Sequence, residues 1–316
     1  MGESINMANR AVKEAFLGEI KRRWGGFTQL PNSNSLIELG NGKVRLYLRY
    51  STLHEGRKTF NGLRRTDLTQ LGGHDSFICF LWDEQPEPLL VPFGNFEAVF
   101  ADLSPAADGQ YKAQVILGEG DINLYLARAG RFNVEGCLGW KALELAMIGA
   151  KLEIPELSHG QVQSLLAGIG HKQGYDLWIP ANNRSGLDRN FLGVATLRSD
   201  LPAGYEKVRT ALEEVDVVWI KKGSNILEGL FEVEHTTSIY SGLLRFNDVH
   251  VEYPTLQSRF GIVANEGRRS LYTRQIDRPT FRNSRLNEVC TFYDYPNVFA
   301  WHRRVTQKKR GEGDLI

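Results

Sequence analysis

Between Val215 and Glu234, two short apolar runs each carry carboxylates, and no other stretch restricts the fold of this chain so strongly. Val215-Asp-Val-Val-Trp-Ile is β-branched and aromatic, the makeup of a buried strand, with Asp216 inside it. Beyond a turn at Lys221–Asn225, Ile226-Leu-Glu-Gly-Leu-Phe-Glu-Val-Glu reads as a second strand that ends with Glu232 and Glu234. Side chains two apart leave a strand on the same face, so these two carboxylates emerge side by side. A hairpin across the turn brings Asp216 close to both.

Three carboxylates in apolar strands suffer desolvation and mutual repulsion unless a cation offsets them. With oxygen donors and no Cys or His spaced to join them, the expected ion is Mg²⁺, with Mn²⁺ able to substitute. The alternative is that Glu232 and Glu234 line the solvated face of an edge strand. That face would also have to accommodate Leu230.

Asp216 followed by Glu232-Val-Glu234, then Thr-Thr-Ser and a helix-like segment, resembles the PD-(D/E)XK nuclease superfamily, the fold of many restriction endonucleases. The resemblance implies an α-β-β-β-α-β core, and the chain supplies one. The order is helix 158–169, strand 175–180, strand 215–220, strand 226–234, helix 237–249 and strand 259–264, with 181–213 as an insertion containing a helical run at Tyr205–Leu212. Ser158 with Gln161 forms a capping box, and Leu157 and Val162 sit at hydrophobic-staple positions. The superfamily pattern has Lys where this chain has Glu234; a minority of restriction endonucleases resemble it in carrying Glu-x-Glu. The resemblance implies Asp216, Glu232 and Glu234 as the catalytic set, Asp216 and Glu232 as metal ligands, double-stranded DNA as substrate and a homodimer. The missing cation then comes from metal, Arg245 or Lys221. Arg245 is expected either at a phosphate or in a surface pair with Asp248 or Glu252.

The N-terminal half reads differently. Residues 1–24 read as a helix with a stripe at Val12, Ala15, Phe16, Glu19, Ile20 and Trp24, stopped by Gly25-Gly26. Strands follow at Leu36–Leu39, Val44–Tyr50, Ser76–Trp82, Leu89–Phe93 and Tyr111–Leu117, with Asn41-Gly42 as a hairpin signal. The fold class is therefore α+β or α/β: a β-rich, barrel-like domain over 1–150 and a nuclease-like domain over 151–316. In Val44–Tyr50 the alternation sets Arg45, Tyr47 and Arg49 against an apolar face. With Arg57, Lys58, Asn61, Arg64 and Arg65 they make a candidate DNA-contacting surface, against the ordinary reading of a solvated charged face.

Net charge is +1, so any surface for a polyanion has to be local. Cys79, Cys137 and Cys290 have neither disulfide nor metal-ligand spacing, which suits a reducing cytoplasm, and no long apolar run is present. From Arg268 to Arg285 arginines recur, and His302–Arg310 reads as a mobile cationic tail. Two competing functions remain open at this point. One is a DNA-binding protein with a nuclease-like fold and no activity. The other is a nuclease directed by DNA structure or base modification, or one acting on RNA.

Overall fold

A computed structural model describes residues 2–31, 33–40, 42–118, 120–148, 154–235 and 238–307. The chain packs as two compact units that divide between Lys151 and Leu152.

The first unit begins with α1 (Gly2–Trp24), followed by β1 (Thr28–Gln29), β2 (Leu36–Leu39), β3 (Val44–Tyr50), β4 (Asn61–Arg64), α2 (Arg65–Leu71), β5 (Asp75–Leu81) and β6 (Leu89–Pro92). Next come α3 (Glu97–Asp102), β7 (Gln110–Leu117), β8 (Ile122–Leu126), β9 (Gly130–Asn133) and α4 (Lys141–Ile148). Instead of a closed barrel there are two sheets with free ends, β1-β2-β3-β5-β6 and β4-β7-β8-β9. They share a core in which Leu36, Tyr47, Ile78 and Val91 of the first meet Leu63, Tyr111, Val115 and Leu124 of the second. The other face of the five-stranded sheet carries Leu46, Leu48, Phe77 and Cys79 beneath Phe16 and Ile20 of α1 and Leu143 of α4.

Both faces of β3 are therefore covered. The alternation in Val44–Tyr50 is real, but its basic face looks into the protein. Arg45 is 3% exposed and pairs with Glu38 on the neighbouring strand at 2.7 Å. The expected hairpin residue Asn41 lies outside the described residues.

The second unit consists of α5 (His159–Lys172), β10 (Tyr175–Trp178), α6 (Arg189–Leu192), α7 (Arg209–Glu213), β11 (Val217–Lys221), β12 (Leu227–Glu234), α8 (Ile239–Glu252) and β13 (Arg259–Ala264). It continues with α9 (Arg269–Ile276), α10 (Pro279–Asn283), α11 (Leu286–Val289), β14 (Cys290–Asp294) and α12 (Tyr295–Gln307). One sheet runs β10-β11-β12-β13-β14, antiparallel from β10 to β12 and parallel from β12 to β14. Helices cover both faces. Val217, Trp219, Phe231, Val233 and Tyr293 pack on α5 and α12, while Val218, Leu230, Phe260, Ile262 and Phe292 pack on α8 and the α9–α11 layer.

Local chemistry explains these elements. The Ser158 hydroxyl accepts from Gln161 N–H at 3.3 Å and Gln161 Oε1 accepts from Ser158 N–H at 2.9 Å, so the capping box forms as expected. The helix it starts runs to Lys172, past Gly168 and Gly170; only Gly174, at φ +84°, serves the turn into β10. Gly223, at φ +67°, closes the β11–β12 turn. Two expectations at the C-terminus change. A fifth strand, β14, pairs parallel to β13, and His302–Gln307 is helical rather than a mobile tail; Lys308–Arg310 fall outside the described residues.

Candidate active site

Strand β12 is the centre of the site. Leu230, Glu232 and Glu234 share one face, and Phe231 and Val233 the other. That first face lies under α8 and away from water: Glu232 is 1% exposed and Glu234 2%. The solvated-edge alternative therefore does not hold. The close packing depends on a helix residue without a side chain, since a Cβ at Gly242 would lie 2.9 Å from Glu232 Cγ and 3.1 Å from Glu234 Oε1. One turn further along α8, Arg245 reaches back to Glu232. Its Nε donates to Oε1 at 2.7 Å and its Nη2 to Oε2 at 3.0 Å, a bidentate fork, and Nη1 donates to Glu214 at 3.2 Å. Asp248 and Glu252 are not its partners; Glu252 pairs instead with Lys207.

Burial drives the Glu232 carboxyl up to about 8, with Asp216 and Glu234 adding repulsion and the Arg245 fork opposing both. The same fork raises Arg245 further above its already high value, so the guanidinium stays charged. It is the resident counter-cation of a buried acid.

Asp216 sits just before β11, opposite Glu232 in register, and is 9% exposed. Its side chain extends the ladder, with Oδ2 accepting Val233 N–H at 2.8 Å. Oδ1 accepts Gln163 Nε2 at 2.9 Å and Asn183 Nδ2 at 3.3 Å, and His159 Nε2 stands 3.3 Å away. The His159 imidazole is raised chiefly by its bond to Asp216, against partial burial. Around Glu234, Arg268 donates to the backbone carbonyl at 2.9 Å. His235 Nδ1 lies 3.0 Å from the Tyr295 hydroxyl, a structural partnership.

The structure thus places Asp216, Glu232 and Glu234 near one another, and puts Arg245 on Glu232 rather than on the expected Asp248 or Glu252. Lys221 lies at the far end of β11, exposed beside the turn. His159, Gln163, Asn183 and Arg268 were missed. They come from a helix N-terminus, a helix interior, the insertion and the segment after β13, places where no spacing rule points at Asp216 or Glu234. The capping box that starts α5 was the available signal, because it fixes which face of the helix Gln163 occupies.

The DNA-contact candidates of the first unit divide. Arg45 and Asn61 are buried, the latter donating to Thr59 Oγ1 at 2.9 Å. Arg49 is half-buried over the Tyr47 ring. Arg57 and Arg64 are exposed, and Lys58 and Arg65 are half-exposed.

The donor set suits a hard cation. The acids offer only oxygen, and Gln163 Oε1 is a buried acceptor with no partner beside Asp216. Among the described residues no three His, Cys, Asp or Glu side chains converge in ligating geometry, and both Glu232 oxygens face Arg245. A bound ion requires Glu232 to exchange its guanidinium for metal.

A mixed sheet with helices on both faces and three buried carboxylates at its centre defines a class of α/β protein with a concealed acidic site. The chain belongs to the family described as the type II restriction enzyme NmeDI C-terminal domain, whose model matches residues 146–310. The curated type II restriction enzyme NmeDI of Neisseria meningitidis serogroup C is 27% identical over 154 residues, covering 46% of this chain and 43% of that protein. The match therefore spans less than half of the relative's length. No solved structure matches. Among the described residues, no helix is long and apolar enough to cross a membrane.

Proposed function

We propose that the C-terminal unit is a metal-dependent endonuclease that hydrolyses phosphodiester bonds of double-stranded DNA, as a type II restriction enzyme of the PD-(D/E)XK kind with a Glu-x-Glu site. One observation carries this reading: Asp216, Glu232 and Glu234 are gathered, buried, where β12 ends, inside the stretch matched by a restriction-enzyme family. Buried acids are rare without a task or a partner, and Glu232 is held in a guanidinium fork by Arg245.

Asp216 and Glu232 would hold Mg²⁺ or Mn²⁺, with Gln163 Oε1 as a further oxygen. The bound ion supplies charge at the scissile phosphate and acidifies its water. Gln163, Asn183 and the Val233 N–H hold Asp216 in one orientation. Glu234, where Lys is usual, accepts the proton of the attacking water. Arg245, on exchanging Glu232 for the phosphate, provides the cation that Lys would have given. A homodimer would present one such site to each strand.

The Arg245 fork also favours a second reading, a protein that binds DNA without cutting it, since a permanently clamped Glu232 cannot ligate metal. Incubating the full chain with plasmid and genomic DNA and Mg²⁺, then mapping ends by sequencing, separates the two. Recurrent ends support the nuclease; retained binding with no ends in Mg²⁺ or Mn²⁺ supports the binder.

A further inference from the structure

The four-stranded sheet of the first unit has an inner face in the core and an outer face in water. A single register fixes the outer face. Lys58 bridges Ile116, Gly62 pairs with Lys112 and Arg64 with Gln110. Gln114 pairs with Tyr125, and Tyr125 with Arg131. Phe60 falls opposite Gln114 in the same register, so Phe60, Gln114, Tyr125 and Arg131 form one row across the sheet. At 4.7–4.9 Å per strand the row spans about 14 Å, comparable with the width of a DNA major groove.

The chemistry of this face is one-sided. Its positions hold Lys58, Arg64, Lys112 and Arg131, amides, two aromatics, Gly62 and one aliphatic side chain, Ile116, and no carboxylate. The acids at its ends are already engaged, Asp108 with Lys112 and Asp121 with Asn123. Arg64 and Arg131 are exposed and pair with no carboxylate among the described residues.

The edge at Phe60 is rigidly built. Arg57 C=O accepts from Leu117 N–H, Thr59 N–H donates to Val115 C=O at 2.9 Å, and Ser51 Oγ accepts Phe60 N–H at 3.0 Å. Arg57, at φ +51°, holds a left-handed conformation that costs a non-glycine residue energy. Yet the Phe60 ring is 49% exposed, edge-on to His54 at 5.1 Å and beneath the Lys58 ammonium. An exposed lone aromatic is ordinary; one fixed in a row with an amide, a second aromatic and Arg131, on a sheet whose strands carry no acid, is not.

We infer that the outer face of the β4-β7-β8-β9 sheet is the surface that docks duplex DNA, with Lys58, Arg64 and Arg131 on phosphates and the Phe60–Gln114–Tyr125 row against base edges. This rests on the reading that the protein acts on DNA; of the surface expected from the sequence it keeps Lys58 and Arg64, drops Arg45 and Arg49 of β3, and adds the outer positions of β7, β8 and β9. Cations position the duplex, while the amide and ring edges carry sequence information.

The test is salt titration of full-length protein binding to a short random-sequence duplex. Each lost phosphate contact lowers the log–log slope by about 0.9, so Lys58→Ala/Arg64→Ala/Arg131→Ala is expected to lose about two to three from the slope and at least about tenfold in affinity. Arg64→Lys/Arg131→Lys should retain the slope, because the charge remains. Phe60→Ala/Tyr125→Ala should weaken binding with the slope unchanged. Wild-type slope and affinity in the triple variant would overturn the inference and leave the nuclease reading standing. Wild-type protein that binds no duplex at low salt would overturn both. Tighter binding to RNA of the same sequence through the same residues would overturn the assignment to duplex DNA.

Discussion

The two units handle charge in opposite ways. In the C-terminal unit the candidate functional charges are acids, almost fully buried and held in place: Asp216 by Gln163, Asn183 and Val233 N–H, and Glu232 by Arg245. In the N-terminal unit the candidate functional charges are bases in water on a sheet face, and the deeply buried Arg45 is satisfied by Glu38. The proposed function accounts for the difference. Acting on a phosphate requires charges whose environment is fixed before substrate arrives, which favours burial. Holding a polyanion requires charges that stay hydrated until counterions leave, which favours exposure.

The largest effect should come from removing the buried acids. Asp216→Ala and Glu232→Ala are each expected to reduce cleavage at least about a thousandfold, the scale of losing an electrostatic contributor and its ion, while DNA affinity changes little. Single-turnover cleavage beside filter binding measures both. Either variant keeping near wild-type turnover would falsify the site assignment and erase the contrast between the units.

Next is the counter-cation. Arg245→Met leaves the Glu232 carboxyl buried without its fork; below about 8 that carboxyl is protonated, so the cost is that of an unsatisfied buried group, about 1–3 kcal/mol, and it grows as pH rises. Denaturant unfolding reads it, and Glu232→Gln in the same background should recover most of the loss. The pH dependence has a definite sign. Glu232 is raised from 4.5 to about 8 in the folded protein, so the native state holds its proton more tightly than the unfolded chain. Its contribution to stability is fully present below about 4.5 and declines as pH rises towards about 8. In chelator, the stability difference between wild type and Glu232→Gln should shift in that sense across this window. A flat difference would mean that the fork fully compensates the burial.

Glu234 distinguishes proton acceptor from spectator. If it takes the water proton, Glu234→Lys should not restore a common pattern but lose at least about a hundredfold in rate, with weaker Mg²⁺ dependence, and Glu234→Gln should fall similarly. Nearly unchanged rates for both would leave Asp216 and Glu232 as the essential acids.

How much of this was legible follows from the range of the forces involved. The strands β2, β3, β5, β6, β7, β11, β12 and β13 and the helices α1, α5 and α8 were readable from local periodicity, and the Asp216–Glu232–Glu234 grouping from the hairpin. β4, β8, β9 and β14 were not singled out: Asn61–Arg64 and Gly130–Asn133 are short and carry glycine, and Cys290–Asp294 follows a helical layer with no turn motif. The face assignment of Arg45 failed for another reason. Alternation shows that residues differ in side, but which side meets water depends on the second sheet, a long-range fact. His159, Gln163 and Asn183 were hidden likewise, since their convergence on Asp216 exists only after α5 and the insertion pack.

The smallest effect expected lies at Gly242, where two influences oppose each other. In a solvent-exposed helix, Gly→Ala gains about 1 kcal/mol from helix propensity. Here the new Cβ would stand 2.9 Å from Glu232 Cγ, closer than such atoms approach, and a tight 3.2 Å from Glu232 Cβ. Glu232 cannot yield easily, because its carboxylate is pinned by Arg245 and its backbone lies within a parallel pair with β13. Overpacking of this kind costs about 1–3 kcal/mol, so the net change should be a loss of about 1 kcal/mol rather than a gain. Unfolding of Gly242→Ala in Glu232 and Glu232→Ala backgrounds tests the cause: the loss should turn into a gain when the side chain it strikes is shortened. A loss of equal size in both backgrounds would place the strain elsewhere on α8 and remove Glu232 as the reason the helix needs glycine there.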